Sequence, residues 1–223
     1  MTALIRYRTA LLLRSQRWLA PVLLYAAFLG VGVSSGQPVL DSLGYTAAGL
    51  LPVTAWLVQV CATQEPPAAR TVVAAAAGGQ PRAHLAALLT ALGSAGLLGT
   101  AATAVVLLIS EPASTDHSVE VSLLSAGLAG LLATACCVLL GTAVGALCTR
   151  PLLHRRGWSL AATVLASLLA LVAGGSPAKY AVTGLVTGSR TGTVHVPLLP
   201  LLGAAAVATA AAALACRLTT VRG

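Results

Sequence analysis

Long apolar runs broken by short charged clusters set the pattern of this chain. Between Arg17 and Asp41 lie 23 residues without Asp, Glu, Lys or Arg, and Asp41 to Glu65 encloses another 23. Arg82 to Glu111 encloses 28, Glu120 to Arg150 29, Arg156 to Lys179 22, and Arg190 to Arg217 26. A membrane helix needs about 20 predominantly apolar residues. Six intervals meet that length and predict transmembrane helices near 19–35, 44–63, 84–109, 121–148, 158–175 and 197–216. The runs are continuous, unlike the alternating segments of a membrane barrel, which are about ten residues each.

Composition narrows the class further. The 223 residues are 57% hydrophobic and only 8% charged, with a mean hydropathy of +0.91. A water-soluble surface needs far more charge, and a disordered chain far less apolar content. The expectation is an all-α integral membrane protein in the cytoplasmic membrane.

Charge then sets orientation. Eleven of the thirteen basic residues fall on one side of the six-span scheme: Arg6, Arg8, Arg14 and Arg17 before the first span, Arg70 and Arg82 after the second, Arg150, Arg155 and Arg156 after the fourth, and Arg217 and Arg222 in the tail. The other side holds only Lys179 and Arg190, with four of the five acids, Asp41, Glu111, Asp116 and Glu120. By the positive-inside rule both termini are cytoplasmic. The net charge of +8 thus reads as topology signals and lipid head-group contacts rather than a nucleic-acid surface.

Candidate chemistry is sparse. Cys61, Cys136, Cys137, Cys148 and Cys216 fall within spans or at their cytoplasmic ends, so no disulfide framework is implied. His84, His117, His154 and His195 are scattered, without the spacing of metal ligands. Gly93-Ser94-Ala95-Gly96 loosely resembles the nucleophile turn of an intramembrane protease, but it also reads as packing positions, with Gly99 continuing the stripe. Gly127, Gly130 and the Gly141/Gly145 pair mark further close helix contacts. No predicted span core carries an ionisable Asp, Glu, Lys or Arg, which argues against a proton- or sodium-coupled transporter.

Three short stretches say more. Residues 1–18 read as an amphipathic interfacial arm; over Met1 to Ala20, Ile5, Leu12 and Leu19 stack within about 40° at 100° per residue. Arg6, Arg14 and Arg17 cluster elsewhere, whereas Arg8 falls on the apolar side. Trp18 suits the membrane interface. In the cytoplasmic segment 64–83, Pro66-Pro67 suits a helix start and Gly78-Gly79 its stop. Ala68 to Ala77 between them predict a helix about 15 Å long. Glu65, the one cytoplasmic acid, precedes this helix, where its dipole favours a carboxylate. On the exterior side, Gly174-Gly175-Ser176-Pro177 breaks the fifth span, and 176–196 predicts a re-entrant helical segment.

Glu65, Arg70-Thr71, Gly78-Gly79, Arg82 and Leu85 together resemble the coupling-helix region of type-2 ATP-binding-cassette (ABC) exporter permeases, small actinobacterial kind. Paired short helices between spans five and six are a feature of that family, and the Ser176-Pro177 start with Lys179 and Tyr180 resembles its small actinobacterial permeases. Pro66-Pro67 departs from the family's charged residues after the Glu. The resemblance implies six spans (19–216), an N-terminal interfacial helix, a cytoplasmic tail at 217–223, and a coupling helix docked on a separate ABC ATPase subunit. It implies Glu65, Arg70, Thr71, Val72 and Val73 as coupling contacts, and a second permease copy or a sister permease as the other half. Polarity alone offers Gln59 and Ser167 as pathway-lining residues. No G-x-x-x-x-G-K-S/T occurs, so this chain has no P-loop of its own. No catalytic residue, metal or bound cofactor is expected, and the ATPase activity would belong to the partner. An apolar pathway favours a hydrophobic substrate. Two other classes stand beside this one: a non-transporting membrane anchor or immunity-type subunit, and a membrane-embedded enzyme.

Overall fold

A computed structural model describes residues 1–115, 119–149 and 156–221. Asp116, His117, Arg150, His154, Arg155 and Arg222, which entered the charge and histidine arguments, lie outside the described residues. The described residues form helices α1 (Thr2–Ser15), α2 (Leu19–Gly32), α3 (Val39–Thr63), α4 (Pro67–Ala77), α5 (Gln80–Ile109), α6 (Leu123–Cys148), α7 (Arg156–Val172), α8 (Pro177–Thr191) and α9 (Leu198–Val221).

Four of these, α3, α5, α6 and α9, are long and apolar enough to cross a membrane; the pair α7 and α8, bent by 50° at its break, adds a fifth if taken as one span. The chain is therefore an all-helical, multi-pass membrane protein. The first and fifth predicted intervals hold shorter helices than expected. At 1.5 Å per residue, the 14 residues of α2 reach about 21 Å and the 17 of α7 about 25 Å, against a hydrocarbon core of about 30 Å. Gly174-Gly175-Ser176-Pro177 makes the expected break, and α8 starts at Pro177.

α3 is the axial helix, packed against α2, α5, α6, α7 and α8. α6 is its principal neighbour and glycine permits the approach. A Cβ on Gly145 would stand 2.6 Å from Val58 Cβ and 2.9 Å from the Ala55 carbonyl oxygen. A Cβ on Gly141 would stand 2.8 Å from Thr54 Cβ. The G-x-x-x-G pair thus serves a contact inside the chain. Gly99 likewise abuts Thr134 and Leu50, but Gly93 and Gly96 face open space, so the stripe expected on that helix closes at Gly99 alone. Buried threonines in these apolar helices satisfy their hydroxyls on their own backbone: Thr46, Thr54, Thr90 and Thr142 each donate to the carbonyl four residues back.

α1 is shorter than the arm predicted from the sequence. It ends at Ser15, where Gln16 takes a left-handed conformation (φ 53°). Leu19 consequently belongs to α2, and the Ile5, Leu12, Leu19 stack does not lie on one helix. The residues α1 buries are Arg8 and Leu12, one turn apart. Leu12 packs with Val58, Cys61, Leu88 and Ala215.

Candidate functional site

α3 ends at Thr63, and after three intervening residues the chain re-enters a helix at Pro67. The missing N–H of a proline costs nothing in a first helical turn, where amides lack helical partners anyway. Gly78 stops α4 in a left-handed conformation (φ 78°), and the Gly79 amide donates back to the Ala74 carbonyl at 2.8 Å. Start and stop agree with the sequence expectation.

The junction before α4 holds a buried ion pair. Glu65 is 4% exposed and Arg8 of α1 5%. Their Nη2 and Oε2 atoms lie 2.9 Å apart. Arg8 Nη1 also donates to the Cys61 carbonyl at 3.5 Å, so one guanidinium holds both the last turn of α3 and the residue beyond it. From α4, Arg70 Nη2 donates to the carbonyls of Ala62 and Glu65, each at 3.4 Å. The Ala62 carbonyl, in the last turn of α3, lacks its helical donor because Pro66 has no N–H, and a cation is favoured there. Around the pair, Arg8 Nε, Glu65 Oε1, both amide atoms of Gln64, and Nε2 of His84 on α5 are buried with no hydrogen-bond partner in the chain. Such atoms retain capacity for further polar contacts.

The five residues assigned to coupling therefore divide. Glu65 and Arg70 turn inward and fix the α3–α4 turn. Thr71 and Val72 face outward: Val72 is 68% exposed, and the exposed Thr71 hydroxyl donates to the Ala68 carbonyl at 2.8 Å. Val73 is half-buried and Ala74 is buried, and α4 packs on α5. The result is a short helix tethered at its start, with one flank free.

Gln59 and Ser167 lie elsewhere. Gln59 is buried; its Nε2 donates to the carbonyl and hydroxyl of Ser159, each at 3.3 Å, and to Thr163 Oγ1. Ser159 in turn donates to the Cys148 carbonyl at 2.7 Å. This chain of bonds joins α3, α7 and the end of α6. Ser167 is buried on α7 with an unpartnered hydroxyl. Neither residue lines the cavity of about 500 Å³ beside α8 and α9 or the one of about 320 Å³ between α2, α3 and α8.

Sequence reasoning missed three participants: Arg8 as the partner of Glu65, and Ser159 and Thr163 as partners of Gln59. A signal for the first was present, since Arg8 sat on the apolar side of its helix and Glu65 was the one acid on that side of the scheme. Among the described residues no group of three or more His, Cys, Asp or Glu could hold a metal ion, and the five cysteines are free thiols. Comparison of the chain with family models, curated proteins and solved structures finds no match in any of the three.

Proposed function

We propose that this chain is the permease half of an ABC exporter, in which α4 is the coupling helix for a separate ATPase subunit. The observation that carries the reading is α4 itself: an 11-residue helix with an exposed Thr71–Val72 flank, tied at its start to α1 and α3 through Glu65, Arg8 and Arg70. A partner that moves this flank would pull on the end of the axial helix and on α1 together, because the ion pair leaves little slack between them. Gln59 would pass the movement on to α7.

In this reading α2 and the α7–α8 pair complete six spans, with α8 returning toward the exterior and both termini cytoplasmic. A second copy or a sister permease supplies the opposite wall of the pathway, and two ATPase subunits supply the energy. The substrate is hydrophobic, consistent with the apolar span cores.

The test is purification of the tagged protein from its native host in mild detergent, with partners identified by mass. A P-loop ATPase should co-purify, and Val72→Asp should release it while the permease stays folded. Repeated recovery of folded protein without an ATPase would overturn the reading.

A further inference from the structure

At the opposite end of α3 from Glu65 is a cavity of about 320 Å³ lined by α2, α3 and α8, the lower end of the size range for small-molecule sites. Its polar wall is Gln37, Asp41 and Ser42, and its apolar wall includes Ala48, Val182 and Val186. Tyr45 also lines it, held by a hydrogen bond to the Phe28 carbonyl and by stacking on Phe28 at 4.2 Å. No basic residue lines the cavity, so its fixed charge is the Asp41 carboxylate.

Two observations point to a ligand rather than to a chance hollow. Ser42 is 2% exposed, yet its hydroxyl has no hydrogen-bond partner, whereas Thr46 one turn later donates to its own backbone. Asp41 stands in the first turn of α3, where helix polarity alone would favour a carboxylate. That polarity accounts for neither the orphaned hydroxyl nor the cavity beside it. Together these groups offer a carboxylate and a hydroxyl, both able to accept hydrogen bonds, next to an apolar wall.

We infer that this cavity binds a primary organic ammonium, its –NH3⁺ on Asp41 and Ser42 and its apolar part against Ala48, Val182 and Val186. An ammonium brings three donors and one positive charge, the complement of this wall. The inference does not depend on the permease reading, since it rests on the cavity alone.

The test is calorimetric titration of the detergent-solubilised full chain with phenethylammonium, and with neutral 2-phenylethanol for comparison. The cation should bind at least about tenfold more tightly than the alcohol, and Asp41→Asn should remove most of that margin. Ser42→Ala should weaken the cation by a smaller factor, and Val186→Trp, which fills the apolar side, should abolish binding of both probes. Size-exclusion and thermal-melt profiles identify any variant that fails to fold, and the cation–alcohol ratio on the unmodified chain needs no variant. Equal affinity for the two probes, or an unchanged cation affinity in folded Asp41→Asn and Val186→Trp, would overturn the inference. Repeating the titration in nanodiscs distinguishes two sources of the ammonium. Weaker apparent binding in phosphatidylethanolamine than in phosphatidylglycerol marks a lipid head group as occupant; equal binding in the two marks a free amine.

Discussion

Asp41 and Glu65 are acids at opposite ends of the same helix, and their surroundings are opposite. Glu65 is buried, bound to a guanidinium from another helix, and its carbonyl accepts from Arg70 of α4. Asp41 is exposed, beside a cavity and next to an orphaned hydroxyl. A carboxylate sealed this way acts as a structural joint, because neither partner can leave without stranding a buried charge. A carboxylate left open costs little to hold and is free to meet something from outside. One helix thus carries a closed end and an available one, about 33 Å apart along the 22 residues from Asp41 to Thr63.

The largest effect that tests this contrast is at the closed end. Arg8→Ala leaves Glu65 buried without its charge partner and should cost about 3–5 kcal/mol. Arg8→Met with Glu65→Met should recover most of that loss, because no charge is then stranded. Denaturant unfolding in micelles measures both. If Arg8→Ala leaves stability unchanged, the joint is not closed.

A smaller effect is expected where α3 meets α6. Gly145→Ala drives a methyl into Val58 and the Ala55 carbonyl and should cost about 1–3 kcal/mol. Gly96→Ala, in open space, should change stability by less than about 0.5 kcal/mol. The same unfolding assay separates the two, and equal effects would remove the case for α3 as a tightly held axis.

Gln59→Leu removes the bonds to Ser159 and Thr163, and interhelical polar contacts of this kind contribute about 0.6–2 kcal/mol. Hydrogen exchange of α7 amides should rise in that variant while α5 is unaffected. The smallest effect is at the open end: Asp41→Asn should shift stability by less than about 1 kcal/mol, the scale of a helix-terminal charge. A loss there as large as that from Arg8→Ala would erase the distinction between the two ends.

The α4 helix shows how much was legible in the chain. Pro66-Pro67 and Gly78-Gly79 fix its limits through constraints that act within a few residues, and the helix runs between them as expected. The break before α8 follows from Gly174-Gly175-Ser176-Pro177 in the same way. Length was less legible for α2. Its charge-free interval is long enough to span, but the interval counts residues, whereas the helix ends at Gly32, before Gly36 turns the chain at φ 84°. Of the candidate site, the positions of Glu65 and Arg70 beside a short helix were readable, but the inward turn of both was not.

By itself the sequence determined the solvent of this protein, the limits of α4 and the break before α8. Those follow from apolar length, the scarcity of charge, and the backbone limits of proline and glycine, all local quantities. Tertiary structure alone decided that Arg8 meets Glu65, that Gly141 and Gly145 admit α3, that Gln59 ties down α7, and that Ser42 stays unpaired beside a cavity. Arg8 and the Cys61 carbonyl it holds are 53 residues apart. No spacing rule connects such groups. They meet because burying a charge demands a partner and close packing demands small residues, and the packed bundle brings both within reach.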